Sequence, residues 1–346
     1  MKLKVLITWF MMLLIVVLCS SGWADLPSPP DQPQFGPGGS NYDHANMAIS
    51  GPFYANGPGN IDNYEYYIYE PDDPMPKEAP VVFFLHGWMA YKPEIYMGWI
   101  EHITRKGYIV IWGRYDAGFT LPASFAAKAM ITWKNALLRL HLWGGRNHVL
   151  PLQQAGETLT ALVGHSAGGY LSAVLAANAA EQNSEVPIPK AIVAIEPGGE
   201  KILPGANFSL IPTDTKLLIV LGDEDKTVCE STGVYLWNIC GQIADDNKDF
   251  LVVRSDQYGF PQQIADHKFP ATEGFRAGID ARDFYITYKL TVAALNCTFS
   301  NTDCEIAFGN GSFNQIFMGR WSDGTPMAPM DWVDDPNSLD MACMDP

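Results

Sequence analysis

The chain has 346 residues, of which 47% are hydrophobic and 17% charged, with 17 Phe, 15 Tyr and 10 Trp. These figures indicate a packed globular protein of one large domain or two small ones, and they argue against intrinsic disorder. The formal net charge of −16 disfavours nucleic acid and anionic membranes as partners, because both are negatively charged themselves. No repeat of fixed period stands out, which argues against a solenoid or propeller.

The N-terminus predicts a secretory signal peptide over residues 1–24. A basic head, MKLK, precedes an apolar run from Val5 to Leu18, and small residues follow at Gly22 and Ala24. The run is too short to cross a bilayer, so cleavage after Ala24 is favoured over an uncleaved anchor. Because the segment holds two lysines and no acid, its removal takes the net charge from −16 to −18. We therefore expect a secreted or periplasmic protein with no stable membrane anchor.

The rest of the chain predicts an α/β fold between residues 61 and 300. Residues 25–60 are rich in Pro, Gly and Asn and predict an irregular arm, and residues 301–346 predict an acidic, loop-rich tail. The segment Tyr64–Tyr69 alternates in the manner of an edge strand. Six later runs are nearly continuous in apolar residues, which suits strands covered on both faces: Val81–Leu85, Tyr108–Gly113, Leu159–Gly164, Ala191–Glu196, Leu217–Gly222 and Phe250–Ser255. The helical candidates between and after them are Ile95–Lys106, Ala123–Leu142, Gly169–Ala180, Gly233–Ala244 and Asp283–Leu295. This alternation predicts a mostly parallel central sheet with helices on both faces.

The stretch TALVGHSAGGYLSAVLAANAA carries the most informative motif. Residues Gly164 to Gly168 fit the pattern G-x-S-x-G, which is weak evidence when taken by itself. Here a predicted strand precedes the motif and an alanine-rich predicted helix follows it. That strand–turn–helix context is typical of a turn that exposes a serine hydroxyl above the sheet. Ser166 is therefore the candidate nucleophile.

A serine nucleophile needs a base to take its proton and an acid to orient that base. In this type of fold the chain order is serine, acid, histidine. His267, in the sequence IADHKFPA, is the only histidine after the motif and so the candidate base. The acid should follow a strand between the two. We favour Asp225 in LLIVLGDEDKTV because the preceding Gly-Asp-Glu gives the chain room to turn, with Asp223 second and Glu196 third.

The reaction also needs hydrogen-bond donors for a developing oxyanion. The N–H of Ala167, directly after the serine, is the first candidate. The second is the N–H of Trp88 in FFLHGWMA, where Gly87 lets the backbone bend towards the site, and Met89 is a possible substitute. We expect His86 to brace this turn through hydrogen bonds rather than to transfer protons.

The segments HGW, GHSAGG, GDED and DHKFP, in this order and spacing, resemble the α/β-hydrolase superfamily. Within it the chain is most similar to secreted esterases of the dienelactone hydrolase, chlorophyllase and cutinase types, including polyester hydrolases. The resemblance covers roughly residues 64–295 and implies an α/β-hydrolase fold and a serine esterase that works without a cofactor, through an acyl-enzyme. Only about 20 residues separate the strands at 191–196 and 217–222, so we expect no large helical cap there.

Aromatic residues predict the character of the substrate. Trp88 and Tyr91 follow the first core strand, and Tyr115 and Phe119 follow the second, at the edge expected to carry Ser166. Together they would form a shallow apolar shelf suited to hydrophobic, moderately bulky esters, either small or polymeric. A serine peptidase or acyltransferase on the same three residues, or a non-catalytic binding protein of this fold, remains an alternative. The sequence predicts no oligomeric state.

Five cysteines remain after the signal: Cys229, Cys240, Cys297, Cys304 and Cys343. In an exported protein these can oxidise, so we expect one or two disulfides. The pair at 297 and 304 closes a short polar loop and is the strongest candidate, the pair at 229 and 240 is plausible, and Cys343 is left unpaired by parity. No metal site is expected, since there is no CxxC motif.

Overall fold

A nine-stranded mixed sheet runs through the computed structural model, which describes residues 26–57, 64–116, 120–143, 147–274 and 278–339. The predicted signal peptide, Phe119 and Cys343 lie outside the described residues, so those expectations stay as predictions. Within the described ranges no helix is both long and apolar enough to cross a membrane.

The sheet has the spatial order β1-β2-β4-β3-β5-β6-β7-β8-β9. The six strands from β4 to β8 in this order pair in parallel, whereas β1, β2 and β9 add antiparallel pairs at the two edges. The strands are β1 (Asn46–Tyr54), β2 (Glu65–Asp72), β3 (Val81–Leu85), β4 (Ile109–Gly113), β5 (Thr160–His165), β6 (Ala191–Ile195), β7 (Lys216–Gly222), β8 (Lys248–Val253) and β9 (Asp331–Trp332). Because the central strands are parallel, their carboxyl ends meet at one edge, where ligand sites of α/β proteins lie.

Helices cover both faces of this sheet. They are α1 (Met97–Arg105), α2 (Phe125–Trp143), α3 (Ala167–Ala179), α4 (Ser231–Ile239), α5 (Lys289–Ser300), α6 (Cys304–Ala307) and α7 (Phe313–Ile316), and a π-helical turn, Asp283–Tyr288, leads into α5. Buried residues of α2, α3 and α4 share one hydrophobic cluster, and those of α1 and α5 share the other.

Strand β3, with the sequence VVFFL, shows why these runs form central strands. All five of its side chains are fully buried. Since side chains alternate between faces, Val81, Phe83 and Leu85 join the cluster under α2 and α3, while Val82 and Phe84 join the cluster under α1. A strand buried on both faces has no polar alternation, which is the pattern that the sequence displays.

The predicted architecture is confirmed, with a mostly parallel sheet and helices on both faces. Each of the seven predicted strands exists, with its ends shifted by three residues at most. Between β6 and β7 the only described helix is the 3₁₀ turn Phe208–Leu210, so no large helical cap is inserted there.

The two flanking segments differ from the prediction. The expected irregular arm contains β1. The pairing of β1 with β2 shifts register between Ser50 and Phe53. Gly51 and Pro52 lie at this shift and interrupt the sequence pattern of a strand. The tail supplies β9, and the indole Nε1 of Trp332 in it donates to Asp249 Oδ1 of β8 at 2.8 Å. Both segments therefore extend the sheet.

The cysteines follow the prediction in part. Cys297 and Cys304 form the predicted disulfide. The expected bond between Cys229 and Cys240 is wrong, because Cys229 is in a disulfide while Cys240 is free and fully buried. The Cys240 thiol packs into the core just after α4, and burial raises its pKa to about 12.

These findings predict how the cysteines react. Cys240 should resist alkylation by iodoacetamide in the folded protein, because its thiol is inaccessible and is not ionised at neutral pH. It should be alkylated fully once guanidinium unfolds the chain. Mass spectrometry of non-reduced peptides should show Cys297 linked to Cys304. Fast alkylation of the native protein, or a peptide linking Cys229 to Cys240, would contradict this assignment.

Candidate active site

A sharp turn between β5 and α3 positions Ser166. Its backbone has φ 56° and ψ −125°, a strained conformation for a residue with a side chain. Two glycines make the turn possible: a Cβ at Gly164 would lie 2.2 Å from the Gly168 carbonyl oxygen, and a Cβ at Gly168 would lie 2.1 Å from that of Leu85. The serine is thereby held at the carboxyl edge of the sheet, above the N-terminus of a helix.

Ser166 begins a chain of hydrogen bonds that joins three separate loops. Its Oγ lies 2.9 Å from His267 Nε2, and His267 Nδ1 lies 2.7 Å from Asp225 Oδ2. The other oxygen of Asp225 accepts from the backbone N–H groups of Thr227 and Val228, at 2.8 and 3.1 Å. The carboxylate is therefore fixed by its own turn, and it orients the imidazole so that Nε2 faces the serine.

The two alternative acids occupy different places. Asp223 accepts hydrogen bonds from the backbone N–H and the hydroxyl of Ser255, which shape the loop after β8. Glu196 is fully buried, with Oε2 at 3.8 Å from His267 Nδ1, beyond hydrogen-bond distance. Of the three candidates, only Asp225 hydrogen-bonds to His267.

The turn after β3 lies against the serine on its other side. A Cβ at Gly87 would lie 3.3 Å from the Cβ of Ser166. The Met89 N–H donates to Asp116 Oδ2 at 2.6 Å, which removes it as a free donor, whereas Trp88 N–H has no acceptor in the described part of the chain. The N–H of Ala167, the first residue of α3, also has no partner within its helix. Trp88 and Ala167 line the same cavity as Ser166.

His86 lies beneath this turn. Its Nδ1–H donates to the carbonyl of the next residue, Gly87, at 2.8 Å, and its ring stacks on Tyr115 with centroids 4.0 Å apart. Burial lowers the pKa of His86 to about 3, so the ring is neutral at physiological pH. It braces the turn, and its Nε2 has no hydrogen-bond partner among the described residues.

A second hydrogen-bond chain ties the Gly87 turn to the His267 loop. Gly87 N–H donates to the hydroxyl of Tyr96 at 3.0 Å, and this hydroxyl lies 2.8 Å from His165 Nδ1. His165 Nε2 lies 3.0 Å from the carbonyl oxygen of His267, which can only accept, so Nε2 carries the proton and Nδ1 accepts from Tyr96. Burial, with His267 nearby, holds the pKa of His165 well below its usual value.

Three side chains in this region lie close enough together to bind one metal ion. Ligand atoms of His165, Glu196 and His267 lie within 4.8 Å of one another. The hydrogen bonds from His165 to the His267 carbonyl and from His267 to Asp225 occupy two of these groups, so an ion would have to displace both.

A cavity of about 580 Å³ opens beside Ser166 and His267. Its apolar wall includes Trp88, Met89 and Ile202, which are 42%, 61% and 52% exposed. The remaining lining residues come from two segments, Gly198–Leu203 after β6 and Thr227–Thr232 around the start of α4, together with Ala167. The substrate wall predicted from the sequence follows β3 and β4 only, whereas Gly198 and Gly199, shortly after β6, also line the cavity.

The predicted aromatic shelf is not assembled as expected. Trp88 lines the cavity and packs edge-on against Phe125. Tyr115 is fully buried, and its hydroxyl donates to the carbonyl of His86, so it supports the turn from below. Tyr91 lines a neighbouring groove and lies 4.6 Å under the guanidinium of Arg114.

The close contacts of the turn predict a large loss of stability on substitution. Gly168→Ala forces a methyl group into the Leu85 carbonyl and should destabilise the fold by about 3 kcal/mol or more, which thermal unfolding followed by circular dichroism will measure. Gly205→Ala is the matched control, since its Cβ would meet nothing within 4 Å. Equal melting temperatures for the two variants would contradict the contact.

Comparison with known proteins agrees with this arrangement. Residues 67–202 match the family model of chlorophyllase, a range that holds β3 to β6, the Gly87 turn and Ser166, and that ends before Asp225 and His267. A search of curated proteins found no match. The family match indicates a hydrolase of the esterase type, acting on ester substrates. Sheet order and helix placement show an α/β-hydrolase fold, and the chain is similar to chlorophyllase, a family of the α/β-hydrolase superfamily, over residues 67–202.

Proposed function

We propose that the protein is a secreted carboxylic-ester hydrolase with Ser166 as nucleophile, His267 as general base and Asp225 as orienting acid. One observation carries the proposal: the Oγ–Nε2 and Nδ1–Oδ2 contacts of 2.9 and 2.7 Å link these side chains in the required sequence of roles. Export is supported by the N-terminal sequence and is compatible with the Cys297–Cys304 disulfide.

The chemistry follows from the geometry. His267 Nε2 takes the Ser166 proton while Oγ attacks the ester carbonyl, and the N–H groups of Ala167 and Trp88 stabilise the oxyanion. When the intermediate collapses, the alcohol leaves with the proton from Nε2 and an acyl-serine is formed. Water, deprotonated by the same nitrogen, then releases the acid and restores the serine. Asp225 keeps the proton on Nδ1 and stabilises the imidazolium in both steps.

The substrate side of the site is open and mostly apolar. The exposed faces of Trp88, Met89 and Ile202 suit a hydrophobic acyl chain or ring. The cavity is also lined by Glu200, whose carboxylate accepts from the hydroxyls of Ser231 and Thr232. We propose hydrophobic, moderately bulky esters as the substrate class.

The nucleophile is tested by replacing it. Ser166→Ala should lower kcat/KM for p-nitrophenyl butyrate by about 10⁴-fold or more, with an unchanged circular dichroism spectrum, because the other two residues act only through Oγ. Ser209→Ala, an exposed serine outside the cavity, serves as the control and should keep full activity. If Ser166→Ala keeps a tenth of the wild-type activity or more, Ser166 is not the nucleophile. If the wild type cleaves peptides or transfers acyl groups but does not hydrolyse esters, the peptidase or acyltransferase alternative replaces it.

The acid is tested with a matched pair of variants. Asp225→Asn should lower kcat by about 10⁴-fold, because the amide favours the wrong tautomer of His267. Asp223→Asn, two residues away, should cost only several-fold, since Asp223 contacts the Ser255 loop instead. The reverse ranking would show that Asp223 is the acid.

The apolar wall predicts chain-length selectivity. Trp88→Ala and Ile202→Ala should raise KM for p-nitrophenyl octanoate more than for the acetate, since each removes apolar surface that only the longer acyl chain covers. Tyr91→Ala is the aromatic control, because Tyr91 lines a different groove. Unchanged selectivity in both cavity variants would place the acyl-binding surface elsewhere.

A further inference from the structure

Glu196 is the buried group that the proposed mechanism leaves unused. It directly follows β6, its side chain is fully buried, and neither carboxyl oxygen has a hydrogen-bond partner among the described residues. Burying a carboxyl group without hydrogen bonds costs several kcal/mol at order of magnitude, so such a residue calls for a functional explanation.

The backbone is adapted to this side chain. Glu196 has φ +46°, which is unfavourable for a residue with a Cβ, and its N–H is fixed by the Val220 carbonyl at 2.7 Å. The carboxyl group occupies the space above Gly222, where any Cβ would lie 2.7 Å from Glu196 Oε1. The fold therefore accepts backbone strain at Glu196, and its carboxyl group fills space beside Gly222, where the Ala265 carbonyl oxygen, 2.3 Å from such a Cβ, also excludes a side chain.

The carboxyl group points at the imidazole that the mechanism uses. Glu196 Oε2 lies 3.8 Å from His267 Nδ1 and 3.5 Å from His165 Nε2. Asp225 Oδ2 contacts the same His267 nitrogen at 2.7 Å. Two carboxyl groups thus converge on the Nδ1–H of His267. Asp225 is hydrogen-bonded to it, whereas Glu196 lies about one ångström farther away.

We propose that Glu196 is a second acid of this site, a positioning residue that can hold the Nδ1–H of His267 in place of Asp225. The inference rests on the proposed function. While Asp225 is present, burial and the charge of Asp225 hold the pKa of Glu196 well above its usual value, which favours the neutral acid. When the Asp225 charge is removed, one cause of that shift disappears, and Glu196 gives its proton to solvent more readily. Its carboxylate then faces the imidazolium.

The surroundings of Glu196 set the balance between its two protonation states. The carboxylates of Asp225 and Asp266 oppose the ionisation of Glu196, and the guanidinium of Arg282 favours it. The titratable and charged groups that face Glu196 include Tyr96 before α1, His165 at the end of β5, Asp225 after β7, Asp266 and His267 in the loop after β8, and Arg282 before the π-helical turn.

The experiment compares two replacements of Asp225. Asp225→Asn blocks the site with an amide, whereas Asp225→Ala leaves His267 Nδ1–H free for Glu196. We expect kcat/KM for p-nitrophenyl butyrate to fall about 10⁴-fold in the first variant and only about 10²-fold in the second. Adding Glu196→Gln to Asp225→Ala should bring the activity down to the Asn level, while Glu196→Gln alone should cost only several-fold. All assays contain EDTA, which excludes a metal ion at these groups.

Asp223→Asn, combined with Asp225→Ala, is the matched control and should not lower the residual activity further by more than several-fold. The pH profile separates positioning from a purely structural role. In Asp225→Ala, the pH at which kcat/KM reaches half of its plateau should move to lower values when Glu196→Gln is added, because the anion that favours imidazolium is gone. Thermal unfolding of each variant shows whether it is folded.

Equal activity of Asp225→Ala with and without Glu196→Gln, at unchanged pH midpoint, would overturn the inference. If Glu196→Gln does not fold, Glu196→Asp replaces it, since the shorter side chain withdraws the carboxyl from His267 and should lower the residual activity as well. The two proposals fail separately. An active Ser166→Ala variant would contradict the proposed function. An inactive Ser166→Ala variant together with an inactive Asp225→Ala variant would contradict only the role of Glu196 as a second acid.

Discussion

The contact between the Ser166 turn and the turn after β3 is the constraint on which the site depends. The Cα of Gly168 approaches the Leu85 carbonyl so closely that no side chain fits between them. This approach brings the serine, the first N–H of α3 and the Gly87 turn into one place at the carboxyl edge of the sheet. The loops that carry Asp225 and His267 then need only to reach that edge, as they do because β7 and β8 run parallel to β5.

Much of this arrangement could be predicted from the sequence. Central strands such as VVFFL are readable because burial on both faces leaves an unbroken apolar run. Ser166 and His267 could be named because a strand–turn–helix context selects the serine and a single histidine follows it. The room to turn in Gly-Asp-Glu favours Asp225 over its neighbours, and Asp225, rather than Asp223 or Glu196, lies at hydrogen-bond distance from His267.

The other features of the site and fold could not be predicted from the sequence, because they depend on tertiary contacts. Tyr115 follows a strand at the correct edge, but stacking on His86 draws its ring inside. The Cys229–Cys240 pairing failed because Cys240 belongs to the core packing of α4, which spacing between cysteines does not reveal. The cavity-lining segment Gly198–Leu203 carries no strand or helix pattern, and only its position after β6 connects it to the site.

The hydrogen-bond chain through Tyr96 and His165 has a consequence for how the site comes apart. Gly87, on the oxyanion side, and the carbonyl of His267, on the base side, are joined by two side chains that do not otherwise enter the chemistry. Local opening of either loop breaks a buried hydrogen bond of the other, so the two openings share their free-energy cost. The two halves of the site are thus coupled, and opening one of them lowers the cost of opening the other.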